Sequence, residues 1–474
     1  MKMKKVSSII LTAAILLTTA CSDNNMSSVN SQNSTVGNSS GGVTDNSTSS
    51  TVVENTPNKV DDTLPQCQPA NLPDTGDYVR KAVMMSENGF YYTDTVKTRN
   101  NRITVGVYYR DNATGKTIPL CSKPQCMHDG NDFCTATGGG EFAVGTSVTT
   151  MYNGNIYRLG DDYADKEKWR LSLFKADLQG NELSKVTDVV EVLLSDGDIS
   201  PSIHSTVFHC GKLFVSVAMT NENMKVSLYI VDLASGEVKQ INTATPENDA
   251  EESNYDTCCY LTADGDWLYY TKRWVKVDKF QFYVTYDRMV MYRYNIKSGI
   301  TEKISAVPEK FASFSVADGI VYYTVTDRKE NTFSLYSYDI ARNVTKTLAE
   351  NVQQKFIEGE LLSHGNKVTV VTDKKYLYVC TRGIESSYNA AYDGIRDDTD
   401  FYVYSLDGKQ LLHGLPGIDM TAPDWSYGFS VIDGKIYLDY RIISHTEETT
   451  ELYTIKTEDL INGSRDWTKL YHVH

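Results

Sequence analysis

The chain has 474 residues, a formal net charge of −15 and 41% hydrophobic residues, 32 of them tyrosines. This excess of acidic groups repels phosphate backbones and anionic headgroups, which disfavours nucleic acid and an anionic lipid surface as partners. The hydrophobic fraction is that of a folded chain, and the length suffices for one large domain.

The first 20 residues have the pattern of an export signal. Lysines precede an apolar run from Ile9 to Leu17, which is shorter than the roughly 20 residues that a transmembrane helix needs. The next residues, Thr18-Thr19-Ala20-Cys21, resemble the end of a bacterial lipobox, with Thr18 where leucine is commonest. The resemblance implies lipidation of Cys21 and therefore a protein anchored in a bacterial cell membrane and facing outward. The alternative is an ordinary secretory signal cleaved near Ala20.

The segment after the signal is polar. Residues 22–60 contain no Phe, Trp or Tyr and are mostly Ser, Thr, Asn and Gly. Such a segment buries too little apolar surface to offset the entropy of ordering it. We therefore predict three parts: a lipoprotein signal peptide over 1–20, a lipid-anchored flexible tether over 21–75, and one folded domain over 76–474.

A hairpin marked by a tight turn recurs through the folded part at intervals of 54 to 65 residues. Its turn positions are 89, 154, 211, 265, 319, 373 and 434, with Lys374 in place of the glycine in the sixth unit. A second turn containing Gly or Asn follows in every unit, at 115, 180, 236, 299, 343, 408 and 463. Glycine or asparagine is expected there because such turns need a residue at positive φ.

Two hairpins per unit make a four-stranded antiparallel sheet, and seven such sheets around an axis make a seven-bladed β-propeller. We therefore predict an all-β fold with blades at about 77–121, 144–190, 202–244, 256–307, 312–351, 357–417 and 422–474. The tyrosines fit this fold, because their rings pack between sheets while their hydroxyls reach the wet edge. The alternative use of the same aromatic residues is a carbohydrate-binding platform.

Three cysteines and a histidine lie within 14 residues between predicted blades one and two: Cys121, Cys126, His128 and Cys134. Thiolates and an imidazole in one loop suit a tetrahedral zinc ion. An exported chain also permits disulfides, for which Cys67 is a further partner. The spacing leaves both interpretations open, a structural zinc site and a disulfide or thiol cluster.

Two connections between the second and third strands of a blade are unusually long, and such loops on a rigid scaffold usually carry binding residues. Their candidate binding residues are Trp274 and Phe282 in blade four, and Tyr388, Tyr392, Asp397 and Asp398 in blade six. The acidic run that ends at Asp400 also offers oxygen ligands for calcium. These loops share a rim with the connections between blades, so we expect them on one face with the cysteine cluster.

The phrases Tyr91-Tyr92-Thr93-Asp94, Tyr269-Tyr270-Thr271 and Tyr322-Tyr323-Thr324 resemble the repeats of YWTD-type and TolB-like propellers, without the tryptophan. With the lipobox, the tether and the cysteine segment, they make the chain similar to uncharacterised propeller lipoproteins of Firmicutes. The resemblance implies the propeller fold and transfers no catalytic residue.

Residues 76–474 contain no G-x-S-x-G elbow, H-E-x-x-H, phosphate-binding loop or dinucleotide fingerprint. We therefore expect a cell-surface, non-enzymatic binding or scaffolding module for a protein or glycan partner. The alternative is an extracellular carbohydrate-active enzyme, a glycoside hydrolase or lyase, that uses carboxylates near the propeller axis.

Overall fold

A computed structural model of the chain describes residues 83–473, apart from 87, 98–102, 131–133, 139–141, 143–147, 163–167, 194–201, 220–224, 242–253, 278–283, 328, 355–366, 383–399, 419–424, 433 and 444–447. The predicted signal peptide, the lipidation site at Cys21 and the tether lie outside the described residues. So do Phe282, Tyr388, Tyr392, Asp397 and Asp398, together with most of the acidic run that offers oxygen ligands for calcium.

The described part of the chain contains 28 strands and one short helix, and the strands form seven consecutive groups of four. Blades one to three contain β1 (Val83–Met85), β2 (Gly89–Lys97), β3 (Ile103–Asp111), β4 (Thr117–Pro119); β5 (Val148–Tyr152), β6 (Asn155–Asp162), β7 (Lys168–Asp177), β8 (Leu183–Leu193); β9 (Ser202–His209), β10 (Lys212–Met219), β11 (Lys225–Asp232), β12 (Val238–Ile241). Blades four and five contain β13 (Asn254–Asp264), β14 (Trp267–Val277), β15 (Val284–Asn295), β16 (Thr301–Lys303); β17 (Phe311–Ala317), β18 (Ile320–Asp327), β19 (Thr332–Asp339), β20 (Val344–Gln353). Blades six and seven contain β21 (Lys367–Thr372), β22 (Tyr376–Arg382), β23 (Asp400–Ser405), β24 (Gln410–His413); β25 (Trp425–Ile432), β26 (Lys435–Ile443), β27 (Glu448–Lys456), α1 (Thr457–Ile461), β28 (Thr468–Val473).

Each group of four pairs antiparallel in chain order, which confirms the predicted seven-bladed propeller of four-stranded blades. The first strand of a blade is the innermost and the fourth the outermost. In blade five, for example, β17 is almost wholly buried whereas β20 is mostly exposed. A single parallel bridge between Lys225 and Asp256 also joins blades three and four.

The predicted turn positions are confirmed by the backbone. The second turn of every blade has positive φ at its predicted Gly or Asn, from 53° at Asn343 to 96° at Gly408. Lys374 takes a φ of 70° where the glycine is missing. Blade seven departs from the pattern, because α1 precedes its second turn. No helix in the described part of the chain is long and apolar enough to cross a membrane.

Seven apolar clusters hold the ring together, each lying between two neighbouring blades. The cluster that closes the ring packs Phe90 and Tyr92 of blade one against Tyr437 and Leu452 of blade seven. Burial of one such side chain contributes roughly 1.5–3 kcal/mol. Among the described residues, the first and last blades meet through this packing, and neither contributes a strand to the other.

The two faces of the propeller carry different connections. The face with the turns between first and second strands, and between third and fourth strands, is called here the turn face. The opposite one, with the connections between second and third strands and between blades, is called the connection face. On the turn face, the Gly211 N–H donates to Tyr152 Oη over 2.9 Å, and the Gly319 N–H donates to Asp264 Oδ2 over 2.8 Å. The inner turns of blades two and three, and those of blades four and five, are therefore linked by hydrogen bonds.

Candidate metal centre

The four predicted cysteine and histidine side chains converge. The Sγ atoms of Cys121, Cys126 and Cys134 and a ring nitrogen of His128 all lie within 4.8 Å of one another. His128 Nδ1 is 3.5 Å from Cys134 Sγ. None of the three cysteines forms a disulfide in the structure. The sequence pattern therefore identified a set of side chains that the fold brings to one point.

Three residues in the left-handed region bend the loop so that these side chains face inward. They are Gln125, His128 and Gly130, with φ of 62°, 55° and 79°. The Cys126 N–H donates to the Lys123 carbonyl over 3.4 Å and closes the first turn. Two of the three residues bear a Cβ, and a non-glycine residue at positive φ is uncommon and needs support from its surroundings.

The loop is an excursion from the outer edge of blade one. The Leu120 N–H, just after β4, donates to the Val107 carbonyl over 2.8 Å. Beyond the loop, the Val107 N–H donates to the Ala136 carbonyl over 3.0 Å, and the Val105 N–H donates to the Phe142 carbonyl over 2.9 Å. The chain thus leaves β3 at Leu120 and returns to it at Ala136, with the four side chains in between.

Blade two holds both ends of this excursion. The Ser122 N–H donates to the Gly180 carbonyl over 3.1 Å, in the turn between β7 and β8. Arg158 on β6 donates to the carbonyl oxygens of Ala136 over 2.8 Å and Val105 over 2.6 Å, and its guanidinium lies 3.6 Å from the centre of the Phe142 ring. The Arg158 side chain is fully enclosed, and burial lowers its pKa to about 9.

The thiols differ in their electrostatic surroundings. Burial raises the pKa of Cys134 to about 11, since its side chain is almost wholly enclosed. Burial also acts to raise the pKa of Cys121, but hydrogen bonds from the backbone N–H groups of Lys123 and Thr135 outweigh it and the pKa falls below the usual thiol value. Donors of this kind favour a thiolate, which is the form that binds metals.

The expected common rim for the cysteine cluster and the long loops is wrong. Ser122 contacts the β7–β8 turn, which belongs to the turn face. The connections that follow β14 and β22 start from the opposite ends of their strands, on the connection face. The expectation failed because it placed the loop after a complete fourth strand, whereas β4 has only three residues and the loop leaves it early.

The remaining predicted binding residue in the described part is Trp274, within β14. It pairs with Asp256 of β13 and Arg288 of β15 in the sheet register, so it belongs to the strand rather than to the loop. The other five candidates lie outside the described residues.

A buried polar group on the connection face was missed by sequence analysis. The side chain of Asp400, at the start of β23, is 4% exposed, and its Oδ1 is 3.1 Å from His413 Nε2. Tyr402 donates its hydroxyl to Asp400 Oδ2 over 3.4 Å and stacks its ring on His413 with centroids 4.5 Å apart. Only the acidic run gave a signal for Asp400, and His413 lies on a different strand.

The missing turn glycine of blade six has a structural counterpart near the axis. Lys374 Nζ lies 3.3 Å from Asp264 and 3.1 Å from Asp318, so it joins the inner turns of blades four, five and six. Its burial acts to lower its pKa, but the two carboxylates outweigh this and the pKa is raised above the ordinary lysine value. The lysine therefore remains an ammonium ion near neutral pH.

Fold and site together define a seven-bladed propeller with a three-cysteine, one-histidine loop on its first blade. No family model matches the sequence, and no curated protein matches it. Solved structures that match are propellers, among them the β-propeller domain of the trilobed protease from Pyrococcus furiosus, with 14% identity, a TM-score of 0.42, and coverage of 85% of this chain and 98% of that chain.

Two further matching structures are a prolyl endopeptidase and an oligogalacturonate lyase. The prolyl endopeptidase is 12% identical with a TM-score of 0.48, over 82% of this chain and 49% of that chain. The oligogalacturonate lyase, in complex with manganese, is 12% identical with a TM-score of 0.42, over 84% of this chain and all of that chain. At these identities the likeness is one of fold alone.

Proposed function

We propose that this protein is a non-enzymatic binding or scaffolding propeller for a protein or glycan partner, anchored through Cys21 on the outer side of a bacterial cell membrane. The lipobox-like sequence and the similarity to Firmicutes propeller lipoproteins support the anchor. The structural support comes from hydroxyl groups on the inner strands of blades three and five, which link these blades to their neighbours.

Hydroxyl groups on the inner strands serve as links between blades. The Leu261 N–H donates to Ser205 Oγ, the Val370 N–H to Ser313 Oγ and the Thr372 N–H to Ser315 Oγ, each over 3.2 Å. Such links fix neighbouring blades relative to one another and favour a rigid scaffold. A rigid scaffold that presents loops is the usual basis of a binding surface.

The carboxylates that meet near the axis are arranged unlike those of a glycosidase. Two-carboxylate glycoside hydrolysis needs one carboxyl to act as an acid and the other as a nucleophile or base, with substrate between them. Here the ammonium of Lys374 lies between Asp264 and Asp318, within 3.3 Å of each. This geometry in the described residues is the observation that carries the non-enzymatic proposal.

The residues proposed to contact the partner are those that the sequence singled out: Trp274, Phe282, Tyr388, Tyr392, Asp397 and Asp398. Aromatic rings with acidic neighbours suit sugar faces or a cationic peptide segment. In blade six, the buried Asp400 and its partner His413 fix the strand that follows these loop residues.

The test is capture by the full chain on a glycan array and from surface extracts. The double variant Tyr388→Ala/Tyr392→Ala should lose the captured ligand. The matched control, Ile118→Ala/Ile300→Ala, changes two exposed apolar side chains on outer edges and should retain it. Equal capture by both variants would refute the proposed binding face. Release of new reducing ends from a polysaccharide, abolished by Asp318→Asn, would instead establish the carbohydrate-active enzyme.

The anchor has a separate test. Cells fed a labelled fatty acid should label the wild-type chain and leave Cys21→Ala unlabelled. Label that persists in Cys21→Ala would rule out lipidation at this residue.

A further inference from the structure

We propose that Cys121, Cys126, His128 and Cys134 bind one zinc ion in a closed, four-coordinate site that fastens the excursion of blade one. This site is independent of the proposed partner binding, because it lies on the turn face against blade two.

The distances fit a tetrahedral ion. Zinc binds sulfur at about 2.3 Å and imidazole nitrogen at about 2.0–2.1 Å, so the edges of the tetrahedron are about 3.8 Å between sulfurs and about 3.5 Å between sulfur and nitrogen. The observed separation of His128 Nδ1 and Cys134 Sγ is 3.5 Å, and all four ligand atoms lie within 4.8 Å of one another. The sulfur–sulfur pairs therefore need to contract by at most about 1.0 Å, and the two remaining sulfur–nitrogen pairs by at most about 1.3 Å.

A disulfide accounts for less of the arrangement. It would join two sulfurs at about 2.05 Å and leave the third thiol and the imidazole without a role. The three sulfurs are instead gathered with the histidine nitrogen around one point, and no disulfide joins them. Convergence of all four side chains, including the imidazole, is what a metal site requires and a disulfide does not.

The ligand set selects zinc and a structural role. Three thiolates and an imidazole are ligands that zinc binds well, and four protein ligands leave no position for water or substrate. Cys134 is buried, whereas Cys121, Cys126 and His128 are partly exposed, so the ion sits at the edge of the apolar cluster between blades one and two. Metal binding there would order the left-handed residues of the loop and press Leu120 onto Gly180.

The experiment measures bound metal in the full chain, purified under reducing conditions. We expect one zinc per chain in the wild type, and its loss in Cys126→Ser and in His128→Ala. Cys210→Ser, which changes a cysteine in the turn after β9 that forms no disulfide, should retain one zinc. Absence of stoichiometric metal from the wild type, stoichiometric iron, or a disulfide between two of the three cysteines found by peptide mapping would overturn the proposal.

A measurement on the wild type covers the case in which the ligand variants fail to fold. Removal of the ion by a chelator should speed hydrogen–deuterium exchange in peptides covering 120–136, with little change in β17–β19 of blade five. Cobalt added to the stripped chain should restore protection and give the absorption of a tetrahedral thiolate complex. Unchanged exchange on chelation, or an octahedral cobalt spectrum, would contradict the site.

Discussion

Replacement of Gly180 by alanine tests how the excursion of blade one docks on blade two. A Cβ at Gly180 would lie 2.5 Å from the Leu120 carbonyl carbon and 2.7 Å from the Cys121 nitrogen. Gly154, in the first turn of the same blade, has nearly the same φ, 69° against 70°, and a Cβ there would have no neighbouring atom within 4 Å. The two substitutions therefore impose the same backbone strain, but only the Cβ at position 180 would clash with neighbouring backbone atoms.

The difference in free energy of unfolding follows from these distances. Strain at positive φ costs roughly 1–2 kcal/mol in either variant. At Gly180, the backbone of Leu120 and Cys121 must also retreat by about 0.7–0.9 Å to reach ordinary contact at 3.4 Å. Overpacking of this kind costs about 1–3 kcal/mol, and loss of the hydrogen bond from Ser122 adds about 1 kcal/mol. We expect Gly180→Ala to lower the free energy of unfolding by about 2–4 kcal/mol more than Gly154→Ala does.

Equilibrium urea unfolding of both variants measures this difference, and hydrogen–deuterium exchange locates it. Exchange should rise in a peptide containing Leu120 to Ser122 for Gly180→Ala and stay unchanged there for Gly154→Ala. Equal destabilisation by the two variants, within about 0.5 kcal/mol, would refute the argument from close approach.

Three further changes test other contacts. Arg158→Met removes the hydrogen bonds from the guanidinium to two buried carbonyl oxygens and should cost about 3–5 kcal/mol in urea unfolding. A cost below about 1 kcal/mol would contradict the role of Arg158 in holding the excursion against blade two. Hydrogen bonds from Lys168 and then Arg170 lower the pKa of Glu191 to about 2 from 4.5. Because the folded pKa is depressed, the stabilisation is present above about pH 4.5 and is lost as the pH falls towards 2, so the advantage of wild type over Glu191→Gln should shrink across that range; a constant difference would contradict this. Lys374→Gly relieves about 1 kcal/mol of strain but removes two ion pairs of a lysine whose side chain is 59% exposed, worth about 0–1 kcal/mol each. The stability of the variant should therefore stay within about 1 kcal/mol of wild type at low salt and improve relative to it at high salt; a larger loss would show that the pair with the largely buried Asp264 is stronger than an exposed pair.

The sequence predicted the blades because turn chemistry is local. A residue at positive φ is needed in each second turn, and Gly or Asn stands at every one of those positions. The spacing of these residues is therefore enough to count the blades. The cysteine cluster was recognised for the same reason, since its four side chains are close in the chain.

Contacts through space left no comparable signal. Gly180 is a turn glycine in the sequence, and its close approach to Leu120 depends on how two blades pack. Arg158 lies between Tyr157 and Leu159 in a strand, where alternation gives no sign that a fully buried guanidinium crosses to Ala136. The bridge from Lys374 to Asp264 spans 110 positions of the chain.

In the described propeller, no blade contains strands from both ends of the chain, and this affects the order in which the blades can be connected. Every blade is one continuous stretch of chain, and the first and last blades touch through the side chains of Phe90, Tyr92, Tyr437 and Leu452. The packing between blades therefore does not determine between which two blades the chain begins and ends. A circular permutant opened between two other blades and linked from β28 to β1 would bury the same surfaces in the same order. The covalent chain, and not the packing between blades, decides at which junction of the described ring its two ends lie.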